Sequence, residues 1–176
     1  RRAILFGISY SASSRASHLP DPATAPELFE GVLARRVIAW AIDVGLIAGI
    51  SVFIMLGGLV ASIFTFGVGS LVALMLIPVA ILVYYAMTLG SPMRATIGMA
   101  TMDIVLTPAR GRPLDGLAIL IHPIVFWITC WIAWPVSLVV ALLTPRREMV
   151  HDMITGTLMV RKSPMLRHWQ NMRSAG

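Results

Sequence analysis

The sequence predicts an all-α membrane protein with two transmembrane helices, a third hydrophobic segment (a hairpin or a single span), and short surface β-strands on the cytoplasmic side. Three observations lead there. Of 176 residues, 57% are hydrophobic and 12% charged, whereas a soluble domain carries about 25% charged residues. The apolar residues fall in long runs, the first being 37–66, where Asp43 is the only ionisable group. All 14 Lys and Arg stand outside these runs, in 1–36, 90–113 and 144–176. A bilayer imposes that segregation and a soluble core does not.

The first span is expected over about 37–63. At about 100° per residue, Arg36, Trp40, Asp43, Ile47 and Ile50 share one face. Gly45 and Gly49 lie more than about 120° from it and form a small-xxx-small groove for helix packing. A turn at 66–69 leads to a second span, about 71–89, which Pro78 is expected to bend. Trp40, Tyr84 and Tyr85 then form an aromatic belt on one membrane side. In the connector 90–113, residues 102–107 read as a strand and 108–113 as a turn. Residues 156–161 read as a second strand, paired with the first at the membrane surface.

The stretch 114–143 is open between two readings. A hairpin places all 14 basic residues on one side and sets Trp127, Trp131 and Trp134 at the far interface, with Pro123 and Pro135 breaking the helix. A single span leaves eight basic residues on one side and six on the other. Half-helices of 14 residues reach only about 20 Å against a bilayer core of about 30 Å, which favours the single span. The hairpin is the preferred reading.

The ends are polar. The chain opens on Arg1-Arg2 rather than Met, and its first apolar stretch, about six residues, is at or below the minimum for a signal peptide, so the start reads as incomplete or misassigned. Residues 1–27 read as a flexible tail, with 11–26 Ser- and Pro-rich. Residues 163–176 read as a basic tail contacting anionic lipid, together with Arg161, Lys162 and Trp169. Cys130, the only cysteine, excludes an intrachain disulfide and a cysteine-based zinc site.

With these spans in place, three stretches resemble the motifs of RDD-family membrane proteins, named for an Arg and two Asp. Residues 29–43 (FEGVLARRVIAWAID) are similar to the opening motif, Ala95-Thr-Ile-Gly98 to the motif after the second helix, and residues 147–157 (REMVHDMITGT) to the closing motif. The resemblance covers 28–162. It implies that Arg36, Asp43 and Asp152 are the name-giving residues, in a polar network with His151 and Arg147. The family often has Lys where Met99 stands and Gly where Asp103 stands. It has no settled biochemical activity, with transport and accessory roles both proposed.

Arg36 and Asp43 are about 10.5 Å apart along a helix, too far for easy pairing. Arg94, His122 or the Arg146-Arg147 pair are the expected partners of Asp43; Asp152 is expected to accept hydrogen bonds from nearby backbone or to pair with Arg146 or Arg147. Asp43 is either a buried structural staple or, with His122, an ion or proton site. No nucleotide loop, zinc motif or nucleophile elbow is present. The expectations are therefore no enzyme activity, no cofactor, no metal and no nucleic-acid partner. The protein is expected in a bacterial inner membrane with its N-terminus cytoplasmic. It is read as an accessory subunit of a larger integral-membrane complex, or alternatively as an oligomeric cation or proton transporter using Asp43.

Overall fold

The computed structural model describes residues 3–5, 8–10, 21–109 and 116–174. The elements run in this order: β1 (Ala3–Leu5), β2 (Ile8–Tyr10), a 3-10 turn (Pro26–Leu28), α1 (Val32–Thr65), α2 (Val68–Leu89), α3 (Ile97–Thr101), β3 (Ile104–Pro108), α4 (Gly116–Leu143), α5 (Val150–Thr155), β4 (Thr157–Arg161) and α6 (Lys162–Ser174). This is the expected helical membrane architecture, with three helices long and apolar enough to cross a bilayer.

α1 is about 51 Å long, well beyond a bilayer core. Its first three turns, up to Asp43, stand among the polar connectors. The 22 residues that follow measure about 33 Å, as does α2, and match the hydrocarbon thickness. Asp43 is therefore at the edge of the membrane layer.

At the opposite end α1 and α2 meet in a tight reversal at Phe66 and Gly67, both with positive φ. The first N–H groups of α2 are satisfied by side chains of α1: Gly69 N–H donates to Thr65 Oγ1 and Ser70 N–H to Ser62 Oγ. In hydrocarbon those donors have no water to turn to. The helices cross closely because Gly58 and Gly69 face each other. A Cβ on Gly58 would overlap Ala73 and crowd the Gly69 carbonyl oxygen.

β3 and β4 pair antiparallel, Ile104 opposite Arg161 and Pro108 opposite Thr157. The pairing anticipated from sequence is present, and the sheet is buried between two layers of this chain. Val105, Leu158 and Val160 pack outward against Ala25, Leu28, Phe29 and Met165. Ile104, Leu106 and Met159 pack inward against Ala39, Leu89, Met99 and Ile119. Residues 21–29 and the start of α6 thus cover the sheet, so packing extends on both sides of 28–162. Residues 11–20, and the side chains of Trp169 and Arg173, lie outside the described residues.

α4 is interrupted at Ala133 (φ −145°, ψ 34°), two residues before Pro135. A straight helix would hold residues 122 and 143 about 32 Å apart. Instead His122 Nδ1 lies 3.1 Å from Thr157 Oγ1 and Arg146 Nη1 donates to the Ala109 carbonyl, both at the same end of the sheet. The third segment is therefore a bent hairpin. Trp131 and Trp134 flank its tip and are exposed.

Replacing Gly58 with Leu should lower the unfolding midpoint in detergent, by about 1–3 kcal/mol of overpacking strain. Gly45→Leu should leave it unchanged, since a Cβ there meets nothing within 4 Å. Equal midpoints for the two variants would contradict the crossing described.

Candidate functional site

The polar residues of α1 hold two sets of partners, one above the other on the same helix face. In the upper set Arg36 Nη1 donates to Asp152 Oδ2 at 2.6 Å, with side-chain exposures of 5% and 0%. Asp152 Oδ2 also accepts the Met149 N–H at 3.0 Å, which caps the first turn of α5. His151 Nε2 lies 3.4 Å from Asp152 Oδ1. The His151 ring packs edge-on against His122 and Phe126 of α4. His122 Nδ1 sits between Thr155 Oγ1 and Thr157 Oγ1 at 3.2 and 3.1 Å.

Asp152 and His151 lie outside the spans. Burial alone raises the Asp152 carboxyl, but Arg36, the two histidines and the Met149 N–H outweigh it and hold the group below the usual carboxylate range. Burial pushes His151 below its ordinary 6.5; Asp152 opposes that shift and Arg36 adds to it.

In the lower set Asp43 accepts three hydrogen bonds. Tyr84 Oη donates to Oδ1 at 2.6 Å, the Gly98 N–H to Oδ1 at 2.8 Å, and Thr96 Oγ1 to Oδ2 at 2.5 Å. Thr96 Oγ1 also accepts the Met99 N–H and so caps α3. Gly98 is required here, because a Cβ would run into the Ala39 carbonyl and the Asp43 carboxylate. The stretch Ala95-Thr-Ile-Gly98 is thus the receptor for Asp43. Met99 is buried in the inner core. Asp103 has φ +56°, a conformation glycine adopts freely, and its carboxylate accepts from Ser163 N–H and Oγ at the start of α6.

The profile of the RDD family matches residues 31–156. The chain belongs to the RDD family. Neither the curated proteins nor the solved structures contain a match to it. Within this RDD chain, Arg36, His151 and Asp152 come together, with His122 beside them. Asp43 is bonded to none of them. Its partners are Tyr84, Thr96 and Gly98 rather than Arg94, His122, Arg146 or Arg147. Asp152 accepts the nearby backbone N–H of Met149, one of the expected alternatives, but its charge partner is Arg36 and not Arg146 or Arg147. Arg147 is exposed and donates to the Leu142 carbonyl, and Arg146 reaches Ala109. Gly45 and Gly49 face open space. Sequence reasoning missed Tyr84 and Thr96 as partners of Asp43. The signal was a hydroxyl two residues before a glycine just after the second span.

Both sets border one cavity of about 600 Å³ between α1, α2 and α4. Arg36, His122 and His151 line it together with Asp43, Thr96, Tyr85 and Ser137, and the remaining walls are apolar. The donor atoms of His122, His151 and Asp152 lie within 4.8 Å of one another, the spacing of a nitrogen- and oxygen-ligated metal. Arg36, bonded to the same carboxylate, works against a second cation there.

Removing one partner of the buried pair, by Asp152→Asn or Arg36→Met, should destabilise by about 3–5 kcal/mol, because a buried charge is left uncompensated. Removing both should cost less than the sum, measured by a double-mutant cycle of unfolding in detergent. The expected pH dependence follows from His151, whose folded pKa lies below its unfolded 6.5. The unfolded chain takes up the proton first, so stability is full above 6.5 and falls as the pH drops below it, by at most about 1.4 kcal/mol per pH unit. Asp152 adds a second loss only below its ordinary 3.8. His151→Gln should lessen the fall of the unfolding midpoint between pH 6.5 and 5; an unchanged slope would remove His151 from the account.

Proposed function

We propose that this RDD protein is a non-catalytic accessory subunit that packs against a larger integral-membrane partner through the first span. The observation that carries this reading is the outward face of α1. Gly45 and Gly49 form a shallow groove that no segment among the described residues covers, and small residues at this spacing admit the backbone of another helix. The saturated Asp43 carboxylate supports the reading too: with three donors already in place, it acts as a staple joining α1, α2 and α3. On this proposal the sheet face, which carries Arg35, Arg146, Arg147, Arg161 and Lys162, is cytoplasmic and meets anionic lipid. The membrane is the bacterial inner membrane, and no cofactor takes part.

A second reading, an oligomeric cation or proton transporter, draws support from one feature. Asp43 and His122 border the same cavity between the spans.

Native mass analysis after gentle extraction separates the two. The accessory reading expects a hetero-complex that Gly45→Leu together with Gly49→Leu dissolves without lowering the unfolding midpoint of the isolated chain. A homo-oligomer whose midpoint rises with added cation, and whose flux in liposomes is lost in Asp43→Asn, would replace it with transport.

A further inference from the structure

Arg36 spends only Nη1 on Asp152. Its Nε and Nη2 have no hydrogen-bond partner among the described residues, although the side chain is 5% exposed. The same holds for Nδ1 of His151, whose side chain is 2% exposed. Both residues line one end of the cavity. Nε and Nη2 form the side edge of the guanidinium, two parallel N–H groups that match two oxygens of a phosphate.

Apart from His122, Thr96, Ser137 and the already hydrogen-bonded Asp43, the rest of the cavity is apolar. Its walls run from Trp40 and Tyr85 to Phe126, Cys130, Trp134 and Leu138, and its volume of about 600 Å³ falls within the range of small-molecule sites. Val37, Trp40 and Trp134 line it and are also exposed on the apolar flank of the helices. The cavity is therefore reached from the bilayer and not only from water. Arg36 lies about 10.5 Å from Asp43 along α1, toward the sheet. That depth is the interface, where lipid headgroups stand, while the walls descend along the spans. A polar end with phosphate-shaped donors and an apolar shaft parallel to the helices together describe one molecule.

We propose that this cavity is a binding site for one glycerophospholipid of the surrounding bilayer. The phosphodiester accepts from Arg36 Nε and Nη2, and one acyl chain lies between α1 and the bent α4. Asp152 keeps its own bond to Nη1, so the lipid completes the guanidinium rather than competing for it. The site stands whether or not the chain is an accessory subunit.

Native mass spectrometry of the delipidated full chain, titrated with phosphatidylglycerol or with diacylglycerol of the same acyl chains, tests this. Two variants accompany it. Arg36→Lys keeps a positive charge opposite Asp152 but loses the side-on fork, and Cys130→Phe narrows the shaft away from the ion pair. The expected result is a single phosphatidylglycerol adduct, bound at least about tenfold more weakly by each variant and not reproduced by diacylglycerol. Equal retention of diacylglycerol, or wild-type affinity in both variants, would overturn the proposal. Should Arg36→Lys fail to fold, Cys130→Phe decides alone: loss of the adduct upholds the site and retention at wild-type affinity removes it.

Discussion

The rest of the structure depends on a buried ion pair between the start of the first helix and the last helical turn before the final strand. Arg36 and Asp152 are almost wholly excluded from solvent and 2.6 Å apart. Neither is tolerable there without the other, since a lone buried charge is strongly destabilising. Their pairing fixes α5 against α1. With α5 fixed, β4 is delivered beside β3, and α4 must fold back on itself to make the connection. The hairpin at Ala133 is thus a consequence of where the chain has to return, and Pro135 marks the point at which its helical bonding is weakest.

Asp43 performs the same kind of task one step deeper. An acid at the edge of the hydrocarbon layer needs full hydrogen-bonding, and it receives a phenol from α2, a hydroxyl from the connector and a backbone N–H from α3. Three segments are tied to α1 at one point. The glycine at 98 makes this possible, because only a residue without a side chain lets α3 approach the Ala39 carbonyl so closely. The two carboxylates divide the work: one anchors the second half of the chain and the other the first.

Much of this was legible in the sequence, and the boundary of legibility is physical. The spans, the surface strands and the segregation of charge follow from local hydropathy and could be placed to within a few residues. The left-handed conformation at Asp103 fits the glycine that RDD proteins often carry there, a link that was not drawn from the sequence. The partners of Asp43 and the charge partner of Asp152 were not legible. Arg94, His122, Arg146 and Arg147 were reasonable choices by charge, but charge does not specify distance. Tyr84 and Thr96 read as an interfacial aromatic and a connector hydroxyl; the Thr-x-Gly spacing at 96–98 marks a cap, but it does not say which acid across the fold it receives. Gly45 and Gly49 drew attention by their spacing, whereas the crossing of α1 and α2 is made at Gly58 and Gly69 near the reversal.

The sequence by itself determined that the chain lives in a membrane, how many apolar segments it has, and that Arg36, Asp43 and Asp152 matter. Each of those conclusions rests on composition along the chain or on motif order. Only the tertiary structure decided which residue meets which. Arg36 and Asp43 are too far apart on one helix to satisfy each other, so each takes its partner from a segment 41 to 116 residues away. Which segment arrives is set by helix crossing, a bend and strand pairing, and those are properties of the whole fold.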